Sequence, residues 1–366
     1  MAKEKKIAVV LGCNIHWAPY YYRYETLLQK EELDFDLIIW NRENIQEECH
    51  AKHIYEYKER DKSCSNDPKK IVKFFGFSAY VKSVIKKNKY TKIVFLGLQG
   101  CAATLNAWFY THSYKNKYYL DIRDYHYEWF YPYYVLEKSI IKNAWYTVIS
   151  SKGFKRFLPQ NDYGYIHNID PHMDEIVKAA GDIYREEGPI RIGFIGNVRY
   201  YNENVKLLEI LKNDERFVVE YFGAGSEDIQ EYCKQNGIHN VKFKGRFQQS
   251  ETAQLYKEVD IINNIYGNSS METTTALSNK LYYALCLYKP IIVSDNTYME
   301  NLCEQYRISI TFKDDESFAD YIHKWYCEFR TNLQDRKDKF DELWTMVLKE
   351  DKEAMQRFED FIAEED

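Results

Sequence analysis

The chain has 366 residues, 45% hydrophobic and 29% charged, enough apolar material for two or three packed domains and too much for a disordered chain. Its 50 Lys and Arg stand against 56 Asp and Glu, a net charge of -6, so it lacks the basic surplus with which duplex nucleic-acid binders neutralise phosphates. Eight cysteines (Cys13, Cys49, Cys64, Cys101, Cys233, Cys286, Cys303, Cys327) are scattered without a C-x-x-C pair, which argues against zinc sites and redox dithiols.

Met1 to Lys6 is basic, but the apolar run behind it is short and leads straight into Gly12, which reads as a first strand rather than a signal peptide. Further strands are predicted at Asp36–Trp40, Lys92–Leu96, Tyr118–Ile122, Trp145–Ile149 and Tyr163–Ile166, with helical spacing at Tyr24–Glu31 and Pro68–Lys87 between them. Continuous apolar strands separated by helices predict a parallel sheet covered on both faces. A polar stretch around Glu186-Glu187-Gly188-Pro189 precedes a second series of strands, at Ile190–Ile195, Phe217–Phe222, Asn240–Lys244, Val259–Asn263, Pro290–Ser294 and Ile308–Phe312. Helical runs at Glu203–Lys212, Glu227–Gln235, Ser250–Glu258 and Asn279–Leu287 separate these, and Glu316 to Asp366 is charged and helical in period.

The expected architecture is therefore α/β: two Rossmann-like doubly wound domains, residues 1–175 and 186–320, facing a cleft, with a helical tail, 321–366, packing back on the first domain. No run is apolar enough to span a bilayer, so the expectation is a cytoplasmic chain, with the inner face of the membrane as an alternative place of work. Tyrosine is abundant, 34 residues in a chain that is 17% aromatic. Tyr20-Tyr21-Tyr22-Arg23-Tyr24 and Trp129-Phe130-Tyr131-Pro132-Tyr133-Tyr134 fit an acceptor platform, peripheral membrane contact or plain packing alike.

Gly12-Cys13-Asn14-Ile15-His16 follows the first strand where a dinucleotide fingerprint would stand, and neither that motif nor a Walker loop occurs. Asp34-Phe35-Asp36 has the D-x-D form of metal-dependent sugar transferases, but a solvated strand edge accounts for it, and no metal site is expected. In the second half, Gly196-Asn197-Val198-Arg199 is a small-residue turn with a cation, followed by Lys206 on the next helix. Such a turn lets backbone N–H groups and an Arg approach a phosphate. Gly223-Ala224-Gly225 ends the next strand, and Ser278-Asn279-Lys280 opens a helix whose free N–H groups suit an anion. Turn geometry and capping explain these residues equally well.

In this order, Gly196 to Arg199, Gly223-Ala224-Gly225, Gly245, then Asn279-Lys280-Leu281-Tyr282-Tyr283-Ala284-Leu285 with Lys289-Pro290-Ile291-Ile292, the chain resembles the C-terminal half of GT-B sugar-nucleotide glycosyltransferases. It is most similar to the family 4 group of bacterial capsule, exopolysaccharide and O-antigen clusters. Tyr119 to Glu128, with its Asp121-Ile122-Arg123-Asp124, resembles a strand end of some members, and the first hundred residues match least.

The resemblance implies a metal-independent transfer of sugar from a UDP- or GDP-sugar to a glycan or lipid-linked oligosaccharide, with no cofactor and no nucleic-acid partner. It places the donor against Gly196, Asn197, Arg199, Lys206, Gly223, Gly225, Ser278, Asn279, Lys280 and Tyr283, with Arg199 also stabilising the leaving diphosphate. Asp124, His126 and Glu128 are the catalytic candidates of the first domain, and Gly12, Asn14 and His16 the acceptor-side ones. An inverting reaction needs one of these as base; the retaining course implied by family 4 needs them only for positioning. Where many members carry two glutamates eight positions apart, this chain has Thr275 and Tyr283. A non-catalytic sugar-binding scaffold and a sugar-nucleotide epimerase stay open as alternatives.

Overall fold

The computed structural model describes residues 5–60, 68–97, 112–180 and 187–364; Cys64, Cys101, the first four residues and positions 181–186 of the expected junction lie outside them. By internal contacts the chain divides into two compact units, Met1–His167 with Glu350–Asp366, and Asn168–Lys349.

The first unit holds seven strands: β1 Ile7–Leu11, β2 Phe35–Trp40, β3 His53–Tyr57, β4 Lys92–Leu96, β5 Tyr118–Ile122, β6 Tyr146–Ile149 and β7 Tyr163–Tyr165. They form one parallel sheet in the order β3-β2-β1-β4-β5-β6-β7. Val9 lies beside Leu37 on one side and Val94 on the other. Every residue of β1, β4 and β5 is buried, the charged Lys92 and Asp121 included, as expected for a sheet covered on both faces.

The second unit repeats the plan with β8 Ile190–Ile195, β9 Phe217–Phe222, β10 Val241–Phe243, β11 Ile261–Asn264, β12 Ile291–Val293 and β13 Ser309–Thr311. Its parallel order is β10-β9-β8-β11-β12-β13. In each sheet the order turns back at the first strand, between β1 and β4 and between β8 and β11. This is where doubly wound sheets open a crevice at their carboxyl edge.

Two features differ from the expectation. β3 is an edge strand whose five residues are exposed or half-buried, so it lacks the apolar run that marks the inner strands. The segment from Asn168 through the helix Met173–Ala180 belongs to the second unit, because Met173 and Ala180 sit in its core.

The tail forms two helices, Phe318–Thr331 and Leu333–Ala363. Phe340, Leu343 and Val347 join the second core, whereas Ala354, Phe358, Phe361 and Ile362 join the first. There Phe358 lies edge-on to Tyr24 and Tyr119, with ring centroids at 4.9 and 5.1 Å. Arg23 fastens the same helix by donating to Asp351 Oδ1 at 3.0 Å and to the His167 carbonyl at 2.8 Å. Tyr21, Tyr24, Tyr118, Tyr119, Tyr221, Tyr256 and Tyr282 are all fully buried, so much of the tyrosine is core material.

Candidate functional site

A cavity of about 570 Å³ opens in the second unit at the carboxyl ends of β8, β11 and β12, a size suited to a nucleotide. Its floor begins at Gly196, directly after β8, where φ is 122°. The turn continues through Arg199 to Tyr200, a tyrosine held at φ 62° and ψ 54° in the left-handed region, which costs roughly 1–2 kcal/mol. What holds it is Asn204, fully buried, whose Nδ2 donates to the carbonyls of Arg199 at 2.9 Å and Tyr200 at 3.0 Å. Tyr221 donates to Asn204 Oδ1 at 3.1 Å, and the Tyr200 ring stacks on Tyr266 with centroids 4.7 Å apart. Backbone strain sustained this way concentrates at functional surfaces.

The opposite wall is the N-terminus of the helix Asn279–Cys286, capped by Ser278, whose side chain accepts from the Lys280 amide at 3.3 Å. Lys280 is 4% exposed. Its Nζ donates to the Tyr266 hydroxyl at 3.0 Å and stands 3.2 Å from the centre of the Phe194 ring. Burial pushes the amine well below its ordinary pKa. Neither Lys280 nor Arg199 forms an ion pair among the described residues, although both line the cavity. Two basic side chains without acidic partners among the described residues, beside a helix N-terminus, are the groups from which anion sites are built.

Two carboxylates also reach this wall. Glu272 is exposed there, while Asp170 accepts a hydrogen bond from the Tyr283 hydroxyl at 2.5 Å. The Tyr283 ring stacks on the buried Tyr256 at 4.7 Å.

Gly196, Arg199, Ser278, Asn279, Lys280 and Tyr283 of the donor candidates line this one cavity. Four other donor candidates stand elsewhere. A Cβ on Gly223, at φ 133°, would lie 1.9 Å from the Gly196 carbonyl oxygen, and one on Gly225, at φ 89°, 2.5 Å from that of Val198. These glycines let two loops cross; they are not cavity lining. Asn197 is exposed on the same crossing. Lys206 pairs with Glu203 at 3.4 Å and Asp314 at 3.6 Å in a separate recess, so its charge is already matched.

A smaller cavity, about 210 Å³, lies in the first unit at the ends of β1, β4 and β5. Gly12, Asp124, His126 and Glu128 line it, with Arg42 and Arg123. Arg42 lies 4.2 Å over the Trp40 ring, and Arg123 pairs with the fully buried Asp121 at 2.6 Å. The His126 amide donates to Glu128 Oε2 at 2.6 Å, which folds the chain back after β5. Burial raises the pKa of Glu128; it pushes that of the adjacent, fully buried Glu137 up to about 9, helped by the Glu128 charge.

Asn14 is not free to meet a ligand. It is buried, donates to Asn41 Oδ1 at 2.9 Å and Glu47 Oε1 at 2.6 Å, and accepts from the amides of Arg42 and Glu43. His16 is exposed, 3.1 Å from Glu43, and outside the lining. Asp34 and Asp36 sit at the amino end of β2, away from both cavities, engaged by Lys52, His53 and Tyr90. No group of three His, Cys, Asp or Glu among the described residues is placed to hold a metal ion. The residues that sequence reasoning missed, Asp170, Tyr200, Asn204 and Tyr266, carry no motif of their own. They matter through contacts made across the fold.

No protein-family model matches the chain, and no curated protein is similar to it by sequence. Solved structures are similar in fold. Sucrose-phosphate synthase from Thermosynechococcus elongatus superposes with a TM-score of 0.63 at 11% identity, over 97% of this chain and 99% of that one. Anabaena HepE, solved with UDP-glucose, gives 0.62 at 10% identity, over 97% and 99%. UDP-GlcNAc 2-epimerase from Neisseria meningitidis, bound to UDP-GlcNAc, gives 0.55 at 12% identity, over 96% and 99%. With the two parallel sheets, these likenesses identify the fold as GT-B. At such identities they speak for the fold alone.

Proposed function

We propose that the chain is a metal-independent glycosyltransferase that moves a sugar from a UDP- or GDP-sugar to a glycan or lipid-linked oligosaccharide of the kind built for bacterial surfaces. The observation that carries this reading is the convergence of Arg199, buried Lys280 and the N-terminus at Ser278 on one nucleotide-sized cavity. Breaking a glycosyl–phosphate bond leaves a diphosphate whose negative charge grows in the transition state. Preorganised cations and N–H dipoles lower that barrier without reorganising. A diphosphate would also return to Lys280 the counter-charge that burial denies it.

The first unit would take the acceptor. Asp124, exposed and making no ion pair among the described residues, and His126, half-buried, are the candidate base of an inverting reaction or the positioning groups of a retaining one. The fold is shared with an epimerase that binds a UDP-sugar, so isomerisation of the donor is the competing chemistry.

The test is a turnover assay on the full chain with a panel of UDP- and GDP-sugars in EDTA, following release of the nucleoside diphosphate and the fate of the sugar. The expected result is nucleotide release that persists in EDTA and falls about 100-fold in kcat for Arg199→Ala. An isomerised sugar still attached to its nucleotide would establish the epimerase instead. Nucleotide binding without turnover of any donor would establish a scaffold, and strict dependence on Mn²⁺ would overturn the metal-independent mechanism.

A further inference from the structure

We infer that Asn264 is a ligand-binding residue of the larger cavity, accepting a hydrogen bond from a neutral O–H or N–H group on the nucleoside or sugar of a nucleotide sugar. This rests on the reading of that cavity as a nucleotide site. The strand β11 ends in two buried asparagines, Asn263 and Asn264, whose side chains leave opposite faces of the sheet. Asn263 is satisfied within the protein. Its Oδ1 accepts from the Ile265 amide at 3.0 Å, and its Nδ2 donates to Asn204 Oδ1 at 3.3 Å. Asn264 is 4% exposed and lines the cavity with Gly196 and Ser294, which directly follow the flanking strands β8 and β12. Its Oδ1 is buried without a hydrogen-bond partner, and its Nδ2 makes no hydrogen bond among the described residues either.

A carboxamide buried in this way weakens a fold, because it has given up water and received nothing in exchange. Buried polar groups are nearly always paired, so one left unpaired in the wall of a cavity points to a partner that comes with the ligand. The kind of partner follows from the atom. A carbonyl oxygen needs a donor, and an ionised diphosphate has only acceptors to offer. The phosphate charge belongs instead with Arg199, Lys280 and the free amides of the helix that Ser278 caps. The rest of a nucleotide sugar carries neutral hydroxyls and N–H groups, and one of these meets Asn264. Asn263 serves as the internal comparison, the same residue type one position away with its hydrogen bonds already made.

The experiment is calorimetric titration of the full-length protein and of Asn264→Leu, an apolar side chain of similar volume. The ligands are inorganic pyrophosphate, UDP, GDP, UDP-glucose and GDP-mannose. Asn264→Leu should bind pyrophosphate as wild type does, and the preferred nucleotide or its sugar conjugate about fivefold or more weakly. An equal loss for the nucleoside diphosphate and its sugar conjugate places the contact on the nucleoside; a loss confined to the conjugate places it on the sugar. Unchanged affinity for every ligand, or pyrophosphate weakened in parallel, overturns the assignment while leaving the nucleotide reading intact. Thermal unfolding without ligand gives a second readout. Asn264→Leu removes an unpaired amide and should melt at or above wild type, whereas Asn263→Leu breaks two hydrogen bonds and should melt roughly 2–4 °C lower or more. A fall for Asn264→Leu as large as that for Asn263→Leu would make the carboxamide structural and overturn the assignment. Failure of wild type to bind any nucleotide or sugar nucleotide overturns the nucleotide reading, and the role of Asn264 with it.

Discussion

Lys280 concentrates the physics of the candidate site in a single side chain. It is a buried amine with no acid beside it, held by one phenol and one ring face. Such a group weakens the fold unless a ligand uses it. Lys280→Met should therefore stabilise the unliganded protein, on the order of 1 kcal/mol, while abolishing any melting-temperature rise on adding nucleotide. Thermal unfolding with and without UDP and GDP checks both halves. Glu137 poses the opposite case. Its pKa lies at about 9 against an ordinary 4.5, so between those values the folded chain retains a proton that the unfolded chain releases. Stability then falls as pH rises through that window, and Glu137→Gln, which cannot ionise, escapes the fall. The melting advantage of Glu137→Gln over wild type should grow steadily from about pH 5 to about pH 9; an advantage independent of pH would contradict the protonated Glu137. At this scale the sequence was partly legible. Arg199, Ser278 and Lys280 announce themselves by standing after a strand and at a helix start. Asp170 could not, because its meaning comes from Tyr283, 113 positions away. Lys206 misled because a lysine on the right helix says nothing of Glu203 and Asp314, which neutralise it.

Among the elements, the inner strands were readable to within a residue or two because parallel strands buried on both faces are apolar over most of their length, with Asp121 and Glu220 as buried exceptions. The edge strand β3 carries no such run, and its existence depends on β2 beside it. The end of the helix Leu333–Ala363 is the element most tightly bound to a core distant in sequence. Phe358 is fully buried against Tyr24 and Tyr119, so Phe358→Ala should cost about 3–5 kcal/mol, seen as a loss of melting temperature or early protease cleavage in the first unit. A loss below about 1 kcal/mol would mean the helix end is not seated there. The helix Tyr131–Asn143 has an outer face of a different kind. Trp129, Phe130 and Tyr131 are 72%, 52% and 74% exposed, Val135 is exposed, and Lys138 and Lys142 follow along the same face without ion pairs among the described residues. Exposed aromatics beside free lysines match an anionic membrane surface, and we propose this face for contact with one. Vesicles containing phosphatidylserine should retain the protein, and Trp129→Ala with Tyr131→Ala should release it. Equal retention of both proteins would contradict the proposal.

At the scale of the whole molecule, the same doubly wound plan appears twice in one chain, and the fold is shared with a sucrose-phosphate synthase and a UDP-GlcNAc 2-epimerase, so the fold by itself does not choose the chemistry. No helix among the described residues is long and apolar enough to cross a membrane. In the cavity of the second unit, Arg199 and Lys280 stand without ion pairs among the described residues, beside the helix N-terminus at Ser278. The most direct measurement is calorimetric titration of the intact protein with UDP and GDP in EDTA, repeated with Arg199→Ala and Lys280→Met. One of the two nucleotides should bind without metal, and each substitution should weaken it about tenfold or more. Absence of binding by both, or affinities that both substitutions leave unchanged, would contradict the nucleotide reading of the cavity.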